Sequence, residues 1–94
     1  MKTQKFASVW DAIENPENAA SLKLRAEVAH KLVEELRRRR LSQTRAAALL
    51  GVTQPRVSDL MRGQIHLFSL DGLIALGRRL GLEAQVRLSK ARAA

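Results

Sequence analysis

A chain of 94 residues with 46% hydrophobic content holds one domain with one modest core. It has no cysteine, which excludes disulfides, zinc-thiolate sites and thiol chemistry, and no apolar run approaching the ~18 residues that span a bilayer. The net charge of +8 is uneven: residues 1–36 carry five basic and six acidic side chains, residues 37–94 twelve basic and three acidic, so the positive field sits on the second part and points to a polyanion, with nucleic acid ahead of a membrane surface.

Phe6, Trp10 and Phe68 are the only aromatic residues, so the core is built from Leu, Val, Ile and Ala, which favours helices. The first eighteen residues lack the apolar core of a signal peptide and carry Asp11, Glu14 and Glu17, which reads as a soluble, unexported, cytoplasmic protein. In "FASVWDAIEN", Phe6, Val9, Trp10 and Ile13 share one face of a short helix, either a lid on the core or an arm for a partner protein. Residues 1–15 are therefore assigned as an N-terminal arm.

The longest predicted helix follows. Asn15 is its cap and Pro16 suits its first position. Leu22, Arg25/Ala26, Ala29, Leu32/Val33 and Leu36 form an apolar stripe, with Arg25 at a weak point in it. Lys31 with Glu34 or Glu35, and Glu34 with Arg38, supply charge pairs at helical spacing. Arg37 to Arg40 end the helix, where cations either complement the macrodipole or reach phosphate.

The segment "LSQTRAAALLGVTQPRVSDLMRG" contains two short helices around a turn. Ser42 caps a helix from Gln43 to Leu50, with Ala46, Ala47, Leu49 and Leu50 facing inward. Gly51 takes the positive φ that a sharp turn needs, and Val52 tucks beneath it. Thr53 caps the next helix, and Pro55 lies in its first turn, where a missing N–H costs nothing. Val57, Leu60 and in part Met61 point inward; Pro55, Asp59 and Arg62 point most directly outward, flanked by Arg56 and Ser58, with Gln54 at the exposed start. A loop with apolar anchors Ile65, Leu67 and Phe68 leads to a last helix, capped by Ser69, burying Leu70, Leu73, Ile74, Leu76/Gly77 and Leu80, and closed by Gly81. In "LEAQVRLS", Leu82, Ala84, Val86 and Leu88 alternate with polar residues, which predicts a strand. A lone strand needs a partner for its backbone groups, and the same strand of a second subunit is the expected one, which makes these four residues the predicted dimer interface.

Small Ala47, the turn glycine Gly51, and apolar Ala46, Leu50, Val52, Val57 and Leu60 resemble the helix-turn-helix of lambda-repressor-like, Cro/CI (XRE) family proteins. "GVTQPRVSDLMRG" and "LFSLDGLIALG", preceded by "SVWDAIENPENAASLKLRAE", are similar to small XRE regulators, many of them antitoxins of the HigA-like type, over roughly Phe6 to Leu88. The resemblance implies an all-α, five-helix DNA-binding domain over residues 16–81 with residues 1–15 before it, followed by a dimerisation strand and basic tail over 82–94. It implies a sequence-specific repressor that binds an operator in double-stranded DNA as a homodimer. The alternative is the antitoxin of a type II pair, which neutralises a small HigB/RelE-like ribonuclease toxin and autoregulates its operon. Arg45, where the family often carries an acidic residue, departs from the pattern and adds a phosphate candidate, and Gln64, where it often carries Lys, removes a backbone charge contact.

A recognition helix brings its N-terminal residues to base edges in the major groove. Gln54 suits adenine, Arg56 guanine or phosphate, and Pro55 a thymine methyl. Ser58 suits base or phosphate, and Asp59 either accepts from a cytosine amine or orients Arg56 or Arg62. Gln43, Arg45, Thr53 and Ser69 lie at helix N-termini, which favour phosphate. No enzyme is expected: Cys and Tyr are missing, His30 and His66 are isolated, and neither a carboxylate pair nor a phosphate-binding glycine loop is present. No cofactor or metal site is expected either, and RNA recognition lacks an aromatic stacking platform.

Overall fold

The structure, a computed structural model, describes residues 16–90. In chain order these form α1 (Pro16–Arg39), α2 (Gln43–Leu50), α3 (Gln54–Met61), a 3-10 turn (Ile65–Leu67) and α4 (Leu70–Arg79). Four α-helices are thus described where five were expected; the fifth, Phe6–Ile13, and the Asn15 cap lie outside the described residues. α1 packs chiefly on α4, α2 and α3 pack on each other, and both pairs share one core of Ala29, Leu32, Leu36, Ala46, Ala47, Leu50, Val57, Leu60, Phe68, Leu73, Leu76 and Leu80.

α1 buries its stripe only along part of its length. Ala29, Leu32 and Leu36 are buried, whereas Leu22, expected inward, is exposed, as is Leu24. At about 36 Å, α1 is more than twice as long as α4, so α4 alone cannot cover the whole stripe. Arg25, in the weak point of that stripe, donates from Nη1 to the Phe68 carbonyl at 3.3 Å. Glu34 pairs with His30 at 3.1 Å and Lys31 at 3.7 Å, and Arg38 turns to Glu35 rather than to Glu34. α1 stops at Arg40, whose φ of 54° is a left-handed value, unusual for a residue with a side chain.

The α2–α3 turn is built by local chemistry. The Ser42 hydroxyl accepts the Arg45 N–H at 3.2 Å, and the Thr53 hydroxyl accepts the Arg56 N–H at 3.4 Å. At Gly51, φ is +72°, and the Ala47 carbonyl accepts both the Gly51 and the Val52 N–H at 2.9 and 3.0 Å. The Arg79 guanidinium covers this turn: a Cβ on Gly51 would lie 2.8 Å from Arg79 Nη2, while Arg79 Nε donates to the Leu49 carbonyl at 3.2 Å. A cation from α4 therefore caps the negative end of α2.

After α3, Phe68 drops into the core and Ile65 packs against it, but Leu67, expected as an anchor, is exposed. The 3-10 turn spans only three residues, and Ile65 faces inward while His66 and Leu67 stay at the surface. Ser69 caps α4 by accepting the Gly72 N–H at 3.0 Å. Leu73 is 0% exposed, and Gly77 lets α1 close in, with Leu32 Cδ2 3.5 Å from where a Cβ would stand.

The predicted strand is not found. Gly81 takes φ +78°, and the Leu82 N–H returns to the Gly77 carbonyl at 2.8 Å, so Leu82 finishes α4 and packs partly against the core. Residues 83–90 are exposed and form no ladder among the described residues. Alternating hydrophobicity marks a chain fit for a sheet edge, yet the hydrogen bonds that make a strand belong to a pair of chains.

Candidate nucleic-acid interface

Three capped helix N-termini, those of α2, α3 and α4, carry most of the candidate residues. The caps exist because Ser42, Thr53 and Ser69 hold extended backbone while their hydroxyls accept the N–H three residues on. Each hydroxyl accepts with oxygen and keeps its own proton for an outside acceptor. Unpaired N–H groups and the dipole give such ends a positive potential that suits phosphate.

α3 buries Val57 and Leu60, which leaves Gln54 and Pro55 exposed and Ser58 and Asp59 half-buried at the rim. Gln54 is fixed from α2: its Nε2 donates to Thr44 Oγ1 at 3.1 Å. Thr44 was not among the sequence candidates. Its signal was positional, since it is the second residue of α2 and Gln54 the first of α3, the ends that a tight turn brings together. Asp59 accepts from Arg62 Nη2 at 3.0 Å, which realises one of its two expected roles, orienting an arginine. Gln43 and Arg45 are exposed on the first turn of α2.

Arg56 does not stand at the outer edge of α3. Its guanidinium carbon lies 4.0 Å from the centroid of the Phe68 ring, and Nη2 donates to the Leu67 carbonyl at 3.1 Å. This partner pair, twelve and eleven residues downstream, has no local sequence signature.

The other arginines divide into those spent on the fold and those facing solvent. Arg39 donates to the Leu80 carbonyl at 2.6 Å and, with Arg38, to Glu35. Hydrogen bonds from Arg38 and then Arg39 hold the Glu35 carboxyl at a pKa of about 2, well below its ordinary value. Arg37, Arg40 and Arg45 are exposed and have no carboxylate partner among the described residues. Of the expected dimer residues, Leu82 serves its own core, while Ala84, Val86 and Leu88 are exposed, the last two at 69% and 91%.

A family model described as a helix-turn-helix domain matches residues 13–89. A solved structure described as "Putative XRE Family Transcriptional Regulator" is 34% identical, with a TM-score of 0.75 over 82% of this chain and 90% of that one. The chain belongs to the XRE helix-turn-helix family. A search of curated proteins gives no match. In this XRE protein the helix-turn-helix proper is α2 and α3, with α1 and α4 as its supporting pair. No described helix is long and apolar enough to cross a membrane.

Proposed function

We propose that this chain is a sequence-specific transcriptional repressor that binds double-stranded DNA as a homodimer and reads the major groove with α3, Gln54 to Met61. The reading is carried by the Gln54–Thr44 hydrogen bond. It uses one of the two amide hydrogens of Gln54 and leaves the other, with the amide oxygen, for an outside partner at the exposed start of α3. A donor and an acceptor side by side are what adenine N7 and N6 require. Pro55 supplies an apolar edge for a thymine methyl, and Ser58 reaches a base or a phosphate. Gln43, Arg45, Thr53 and Ser69 meet phosphates, while Asp59 acts through Arg62. The membership of the XRE family and the regulator among its structural relatives support the same reading.

Dimer formation through Ala84, Val86 and Leu88 is supported by their exposure and by the unpaired backbone around them. Pairing of two such segments removes two sheet edges at once. The antitoxin alternative draws on Leu22 and Leu24, apolar and exposed on α1, which suit a protein partner.

The test is selection of duplexes from a randomised pool with the full chain, followed by titration at fixed salt. Gln54→Ala is expected to lose about 1–3 kcal/mol of discrimination at one base pair while staying folded. A wild-type chain that enriches no sequence, or a Gln54→Ala variant with unchanged preferences, overturns the reading.

A further inference from the structure

Two consecutive carbonyls in the connector between α3 and α4 are each taken by an arginine from a different helix. Leu67 C=O accepts from Arg56 of α3 at 3.1 Å, and Phe68 C=O accepts from Arg25 of α1 at 3.3 Å. Between them the Phe68 ring is buried below the Arg56 guanidinium, 4.0 Å from centroid to carbon. The next residue is Ser69, the cap of α4. Arg56 therefore joins the third residue of α3 to the peptide just before the N-terminus of α4. Both contacts use the planarity of its guanidinium, one through the face and one through an edge N–H.

We propose that Arg56 is a positioning residue rather than a base reader: it sets the distance and angle between the base-reading start of α3 and the phosphate-facing start of α4. The inference rests on the DNA-binding reading above and gives a different role to a residue that the sequence placed among the base or phosphate contacts. A rigid link of this kind matters because the two helix starts must meet a base edge and a backbone phosphate on the same duplex at once, and a shift of one against the other forfeits one contact. The guanidinium does this while pointing along the protein surface, so it carries no sequence information.

The experiment has one arm with DNA and one without. In the first, the full chain and its Arg56→Met, Ser69→Ala and double variants are titrated with the selected duplex at several salt concentrations, at a temperature where circular dichroism shows each folded. Arg56→Met is expected to bind roughly tenfold more weakly, the equivalent of losing one cation–π and hydrogen-bond clamp. Its base preferences and its salt slope are expected to stay unchanged, because no cation leaves a phosphate, and its loss is expected not to add to that of Ser69→Ala. A purely structural role predicts no affinity change in folded protein. A direct phosphate contact predicts a salt slope smaller by about 0.9 and additive losses. A base contact predicts lost preference at one base pair. Each of these three results overturns the proposal.

In the second arm, Arg56→Met, Phe68→Leu and the double variant are compared in the free protein by thermal unfolding and by amide exchange at Leu67 to Gly72. Non-additive melting shifts and several-fold faster exchange at these amides in Arg56→Met are expected. Additive shifts with unchanged exchange overturn the clamp. If no duplex is enriched by the wild-type chain, the DNA-binding reading fails, and the second arm alone decides whether Arg56 holds the start of α4.

Discussion

α3 and α4 are successive helices of similar length held in place by different means. α4 is held by burial: Leu73, Leu76 and Gly77 are inside, followed by Leu80. α3 buries only Val57 and Leu60, and its remaining restraints lie along its rim, where Gln54 meets Thr44, Arg56 meets Leu67 and Phe68, and Asp59 meets Arg62. The difference separates two tasks. Burial fixes the domain, and polar struts orient the helix that is proposed to present its outer surface to DNA. Side chains on that surface can then change with little penalty to folding.

The sharpest way to break the comparison is through α4. Leu73→Ala is expected to lose about 2–5 kcal/mol in urea unfolding, since Leu73 is fully enclosed, whereas Ser58→Ala on α3 is expected to stay within about 0.5 kcal/mol. Similar losses for both would end the distinction. A smaller effect is expected at the turn between α2 and α3. Gly51→Ala imposes a left-handed φ on a residue with a Cβ and displaces Arg79 from the end of α2, for a loss on the order of 1–2 kcal/mol by the same measurement.

The smallest effect is electrostatic and lies away from both helices, on α1. With Arg38 and Arg39 holding the folded pKa of Glu35 at about 2, below its unfolded value, the charged carboxylate stabilises the fold above the unfolded pKa. That contribution falls as pH drops through the acid range toward 2. Melting temperatures of wild type and Glu35→Gln are therefore expected to differ modestly near neutral pH and to converge in acid. A constant gap across that range would remove the ion pair from the stability of α1.

Features made by neighbouring residues were legible in the sequence. The caps Ser42, Thr53 and Ser69 and the turn at Gly51 bind groups three to five residues away, and the structure has them as expected. The core faces of α2, α3 and α4 followed from helical spacing for the same reason. Leu22 failed because burial depends on how far a covering helix extends, which no local pattern encodes. Leu82 to Leu88 failed as a strand because the chain supplies half of the required hydrogen bonds. Arg56 was placed on the correct helix, but its contacts with the Leu67 carbonyl and the Phe68 ring were not legible, since they depend on a loop eleven and twelve residues on. The Gln54–Thr44 contact belongs to the same class: both residues were visible, but their meeting depended on the packing of α2 against α3.

The left-handed Arg40 at the end of α1 carries a conformational penalty on the order of 1 kcal/mol that glycine would not carry. Arg40→Gly is therefore expected to melt higher, and to bind duplex DNA less tightly with a shallower salt dependence, in paired melting and titration experiments. An improvement programme scored on heat resistance alone would thus enrich glycine at this position and erode affinity unseen. Should both measurements come out so, arginine at position 40 is a compromise between endurance and grip, and only a screen that scores both properties would keep it.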